Sequence, residues 1–130
     1  MRRDEDAELR RFLAAVGALP GVHVQRVHVL RLRLPSGAWL TSTTPGTPDV
    51  FCIVAGNVVW LEFKTTRGKD EDSQIVWHRA YRAAGGTVWR CTCAVETVRQ
   101  LAALASGNTR AALTAAAETM TAALAAGEGR

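Results

Sequence analysis

Residues 46–64 read Gly46-Thr47-Pro48-Asp49-Val50-Phe51-Cys52-Ile53-Val54-Ala55-Gly56-Asn57-Val58-Val59-Trp60-Leu61-Glu62-Phe63-Lys64. Two runs rich in β-branched and aromatic residues, split by Gly56-Asn57 and entered through a rigid Thr-Pro-Gly-Thr-Pro loop, predict a short β-hairpin with strands over 49–55 and 58–65. After it, Asp70, Glu71 and Asp72 place negative charge where a helix begins, and Gly85-Gly86 ends a helix over 72–84. On that helix Gln74, Trp77, Tyr81 and Ala84 share a face. A strand over 87–92 follows, then a helix over 95–105 that buries Val98, Leu101, Ala102 and Ala105. Upstream, Leu9, Phe12, Leu13 and Val16 mark the buried stripe of a helix over 5–18, capped by Asp4 and closed by Gly17 and Pro20-Gly21. The alternation from Val22 to Leu34 predicts one long strand with a bulge near 29 or 30. Pro35-Ser36-Gly37 turns it into a second strand over 38–43. The order α-β-β-β-β-α-β-α predicts a single α/β domain with a mixed central sheet flanked by helices.

The composition agrees with one compact unit: 130 residues, 48% hydrophobic and 6% aromatic, so the core is Val, Leu and Ala with a few large aromatic anchors. Residues 1–105 form the domain. Residues 106–130 carry an Ala-rich helix over 109–126, with a thin apolar line of Leu113, Ala117, Met120 and Leu124. That helix either docks on the domain, serves a second subunit, or frays. No apolar run is long enough for a membrane span, and Asp4, Glu5, Asp6 and Glu8, coming almost at once after Met1, are unlike the apolar stretch of a secretory leader, so a cytoplasmic protein is expected. Cys52, Cys91 and Cys93 lack paired zinc-site spacing and read as reduced packing residues.

Charge is unevenly spread. The formal net charge is +4, yet residues 9–48 hold no acid while carrying Arg10, Arg11, Arg26, Arg31 and Arg33. One segment therefore suits a phosphate backbone, with Arg31 and Arg33 outward on a ribbon, although general solubility accounts for an arginine-rich composition as well.

Asp49, Glu62 and Lys64 carry the chemical signal. A turn at Gly56-Asn57 sets Asp49 opposite Lys64; a turn at Ala55-Gly56 sets Asp49 opposite Glu62. In both registers the three charges share one face, with Trp60, while Val59, Leu61 and Phe63 take the other. A three-residue loop would break this arrangement. Two carboxylates about 4 Å apart repel by about 4 kcal/mol at an effective dielectric of 20, so an enclosed pair calls for cations. Lys64 supplies one, and Mg²⁺ or Mn²⁺ would supply the rest. The plainer reading is a cross-strand Asp49–Lys64 ion pair with Glu62 solvated.

Gly46-Thr47-Pro48-Asp49, the Glu62-Phe63-Lys64 triplet on the next strand, Gln74 at the start of the following helix and Gly85 at its end resemble, in that order, the VRR-NUC branch of the PD-(D/E)XK nucleases, over roughly residues 5–93. The resemblance implies a restriction-endonuclease-like fold and a Mg²⁺- or Mn²⁺-dependent endonuclease. Small single-domain members of that branch, many of them viral, act as homodimers on branched DNA such as Holliday junctions. Asp49 and Glu62 would be metal ligands, with the carbonyl of Phe63 a further one. Lys64 would orient the attacking water, and Gln74 would reach back to the site, with Tyr81 on the same face. The resemblance also implies a first-helix glutamate as ligand. Glu8 fits best, and Glu5 stands one turn earlier.

Arg67 and Lys69, after the catalytic strand, form either a phosphate-contacting loop or a solvated turn. His78, one turn after Gln74, either approaches a phosphate or is an ordinary helix histidine. The alternative to a nuclease is a basic nucleic-acid-binding module without turnover.

Overall fold

A computed structural model of the chain describes residues 2–27, 31–41 and 44–127. It is a mixed α/β fold. In chain order the elements are α1 (Arg2–Val16), β1 (Val22–Arg26), β2 (Arg31–Arg33), β3 (Trp39–Thr41), β4 (Val50–Val54), β5 (Asn57–Phe63), α2 (Asp72–Ala83), β6 (Thr87–Cys91), α3 (Ala94–Leu104) and α4 (Gly107–Ala125).

The central sheet has the order β1-β4-β5-β6. β1 and β5 each run antiparallel to β4, and β6 runs parallel to β5 through the α2 crossover. Val50, Cys52 and Val54 of β4 and Val59, Leu61 and Phe63 of β5 point to one face, where they are buried with Phe12 and Val16 of α1, Val98 and Leu101 of α3, and Leu113 of α4. Burial on that face pushes the Cys52 thiol up to about 12 and the Cys91 thiol up to about 11, so both stay protonated packing groups. On the other face Trp60 meets Trp77 and Tyr81 of α2, and Glu62 faces His78.

Two expectations change, and a choice left open above is made. α1 begins at Arg2, so Asp4 lies inside the helix, not ahead of it; acidic residues suit a helix's first turns and nothing in that run stops the helix there. The long strand over 22–34 is two strands in two sheets. β1 lies at the edge of the central sheet, whereas among the described residues β2 pairs with β3 in a separate ribbon. Alternation along a chain records a pleat, not which partner the pleat meets, so the sequence pattern runs through the change. The proposed bulge at 29 or 30 falls outside the described residues. Finally, α4 packs on α1 and α3 and buries Leu113 and Ala117, with Met120 and Leu124 half-buried beside them. No described helix is long and apolar enough to cross a membrane.

Candidate functional site

The β4–β5 register decides which charges meet. Val50 pairs with Leu61 and Val54 with Asn57, so Ala55-Gly56 makes the turn, with both residues at positive φ. The alternative turn at Gly56-Asn57 is not used. One step beyond the Val50–Leu61 pair, Asp49 falls opposite Glu62, and its carbonyl accepts from Val27 N–H at 2.6 Å, extending the β1–β4 ladder. Asp49, Glu62 and Lys64 thus stand on one face of the sheet, the face that carries Phe51 and Trp60. The loop before Asp49 is held by Gly46, whose φ is +88° and whose hydrogen faces the Ser73 carbonyl so closely that any β-carbon would collide with it. The entry to Asp49 is thereby locked against the first turn of α2. At the other end, Lys64 N–H donates to the Cys91 carbonyl at 2.8 Å, fixing the strand past β5.

Glu62 is 4% exposed, and its Oε1 has no hydrogen-bond partner among the described residues. Burial, and then the negative charge of Asp49, push its carboxyl up to about 8. Asp49 keeps contact with solvent, but the protein around it still raises its carboxyl, an effect opposed by Arg26 and Lys64. Lys64 is half-buried and lowers both acids. The site therefore holds two facing carboxyl groups, which cannot both ionise easily with so little positive charge beside them, and one orphaned buried oxygen, and such a group is costly unless something pairs with it. Among the described residues, no three His, Cys, Asp or Glu side chains are grouped closely enough to hold a metal ion by themselves.

The first-helix glutamates separate cleanly. Glu8 Oε1 accepts from Ala94 N–H at 2.8 Å, capping the first turn of α3, and its other oxygen pairs with Arg11. Glu8 also lines a cavity of about 250 Å³ that Lys64 reaches, but its carboxylate is committed to the helix end. Glu5 instead accepts from Thr65 N–H at 3.4 Å and raises the carboxyls of both Asp49 and Glu62. Glu5 is the first-helix acid nearer the pair. Replacing Glu8 with Ala is expected to cost about 1–2 kcal/mol of stability through the lost helix cap. Glu5→Ala is expected to leave melting nearly unchanged while slowing any metal-dependent turnover roughly tenfold or more. Thermal melts and rates on the two variants check the split.

Gln74 does not reach the site through its carbonyl: Oε1 accepts from Glu71 N–H at 2.8 Å, closing the α2 N-terminus as in a capping box. The Phe63 side chain is turned into the core, its ring 5.5 Å from Phe12, leaving only its backbone carbonyl for the site. Arg26 lies close enough to Asp49 to lower its carboxyl. The guanidinium of Arg33 lies over the Trp39 ring at 5.5 Å, and the side chain of Arg31 is outside the described residues. Arg67 and Lys69 are exposed on the loop after β5. That loop is clasped by Arg90, which pairs with Asp70 at 3.2 Å and donates to the Gly68 carbonyl.

Sequence reasoning gave His78 too little weight. It is 3% exposed, and its Nε2 lies 3.8 Å from Glu62 Oε1, beyond hydrogen-bond range, with no other partner among the described residues. Burial, aided by Arg82, lowers its pKa and keeps it neutral at neutral pH. The signal was present, because residues 74, 77, 78 and 81 share one helical stripe. Compared with protein-family models, curated proteins and solved structures, the chain matches none.

Proposed function

We propose that this chain is a Mg²⁺- or Mn²⁺-dependent endonuclease of restriction-endonuclease-like fold that hydrolyses phosphodiester bonds in branched or otherwise structured DNA. The observation that carries the reading is Glu62: a buried carboxylate with an unpartnered oxygen, facing a second acid, beside a single lysine. Asp49, Glu62 and the Phe63 carbonyl would hold the ion, with Glu5 the nearby carboxylate on α1. Hard oxygen donors of this kind, completed by water, suit Mg²⁺ or Mn²⁺ and not zinc. Bound there, the ion would polarise the scissile phosphate and lower the pKa of the attacking water.

The chain's own groups supply the rest. Lys64 offsets charge building on the phosphate and holds the water in line. Gly46 and the Ala55-Gly56 turn keep Asp49 against Glu62. Arg26 beside Asp49, Arg33 on the β2–β3 ribbon, and Arg67 with Lys69 offer positive charge to the flanking backbone, giving affinity that falls with salt and reads little sequence. Arg31 belongs to the same basic segment. A homodimer accompanies this reading, and light scattering that returns the monomer mass would remove it.

The test is a Mg²⁺ and Mn²⁺ titration with labelled junction, flap and plain duplex DNA. Cleavage of branched substrates that vanishes in EDTA and in Asp49→Asn is expected. Binding without any cutting, indifferent to Asp49→Ala, would leave a basic binding module in its place.

A further inference from the structure

The face that carries the charged site also carries a row of rings. Phe51 follows Asp49 by two residues and Trp60 precedes Glu62 by two, so each ring stands one pleat repeat, about 7 Å, from its carboxylate. Phe51 and Trp60 touch with centroids 5.0 Å apart. From Trp60 the row continues onto α2: Trp77 at 5.4 Å and Tyr81 at 6.4 Å, both edge-on. Trp77 and Tyr81 then stack on each other at 4.8 Å with planes 13° apart. Gly86 leaves room for the Tyr81 ring, which a β-carbon would strike.

Trp77 and Tyr81 are not sealed. They form part of the wall of an open cavity of about 400 Å³, with Thr44, Pro45, Val76 and Ala80, and Val76 is 64% exposed. The size is that of a small-molecule site. Its loop wall, Thr44-Pro45, runs through Gly46 and buried Pro48 into Asp49, so one short loop, held at Gly46 against Ser73, joins the cavity to the carboxylates.

We infer that this aromatic cavity receives an unpaired nucleobase of the strand being cut, packed against the open side of the Trp77–Tyr81 pair while a phosphate of the same strand lies at Asp49 and Glu62. The inference rests on the nuclease reading for the phosphate but adds what that reading lacks, a reason to choose distorted over regular duplex DNA. Ring faces accept any base, because every base presents a π-face. A base held in a duplex stack cannot enter, and extrusion costs least where pairing is already lost. The cavity's lining carries no charge of its own; what favours a nucleobase over another apolar group is the short loop that leads from this wall to Asp49, where the proposed phosphate would lie.

The experiment measures binding without cutting. A labelled duplex with a single-nucleotide bulge is compared by fluorescence anisotropy, in EDTA, with the same duplex carrying an abasic bulge. The wild type should bind the bulged base about tenfold more tightly. That preference should vanish in Trp77→Ala and in Val76→Glu, the second changing an exposed position that folding does not need, and should persist in Trp77→Phe. Equal affinity for the two probes, or a preference that survives both disruptive variants, overturns the inference. Because the assay contains no metal, a base preference in a protein that never cuts would fell the nuclease reading alone. Cutting by a protein with no base preference would fell this one alone.

Discussion

Replacing Glu62 with Gln is expected to lower Mn²⁺-dependent cleavage by about a hundred- to a thousandfold and, at pH 8.5, to raise the melting temperature of the same protein. The two effects have one cause. In the fold the Glu62 carboxyl is buried, unpartnered at Oε1 and pushed up to about 8, whereas in the unfolded chain it titrates near its usual value. Between those values the folded state binds the proton that the unfolded state has released, so stability falls as pH rises through the window from about 4.5 to about 8. Above it the penalty is fully present; below about 4.5 it is gone. Raised Asp49 acts in the same direction. His78 acts oppositely, because its lowered pKa makes the fold lose stability as pH falls through and below 6.5. A comparison at pH 8.5 therefore isolates the acids. The uncharged amide removes the penalty, and a gain of roughly 4 °C or more is expected, shrinking towards nothing at pH 4. Catalysis moves the other way, since the charge that burdens the fold is the one that would bind the cation and stabilise the reaction; losing a single preorganised electrostatic group costs on the order of 10²–10³ in rate. Mn²⁺ should raise the melting temperature of the wild type and not of Glu62→Gln. A glutamine variant that cuts as the wild type does, or melts identically at both pH values, removes Glu62 from the centre of the site.

Phe12→Ala should be the most damaging single change to stability, costing about 3–5 kcal/mol and lowering melting by more than about 10 °C. Phe12 is wholly buried, and its ring meets Phe63 at a centroid distance of 5.5 Å. The ring sits in the core shared by the sheet and helices α3 and α4, close-packed on all sides, so the cavity left by the ring cannot close easily. The contact also has a positional role, because Phe63 lies between Glu62 and Lys64 and Phe12 lies two turns beyond Glu5. Losing the ring frees α1 from β5 and with it the alignment of Glu5 with the acid pair. Urea melts give the number, and a loss below about 1 kcal/mol would show that α1 is seated by other contacts.

Much of this molecule was legible in one dimension. Local periodicity and turn chemistry gave the hairpin, the α2 helix between the acidic cluster and Gly85-Gly86, β6 and α3, and alternation alone required Asp49, Glu62 and Lys64 to share a face in a hairpin with a two-residue turn. Such features depend only on near neighbours along the chain. The choice between Asp49 facing Lys64 and Asp49 facing Glu62 did not, because Ala55-Gly56 and Gly56-Asn57 offer similar turns and the sheet's packing selects one. Nor did the fate of the first-helix acids. Glu8 met Ala94, eighty-six positions away, and became a helix cap, while Glu5 was left beside the site. His78 read as an ordinary helix residue until folding set it against Glu62. Residue type and spacing decide which groups a strand or helix presents together; only the packing of distant segments decides which of those groups are satisfied, and the oxygen left without a partner is where the chemistry is proposed to lie.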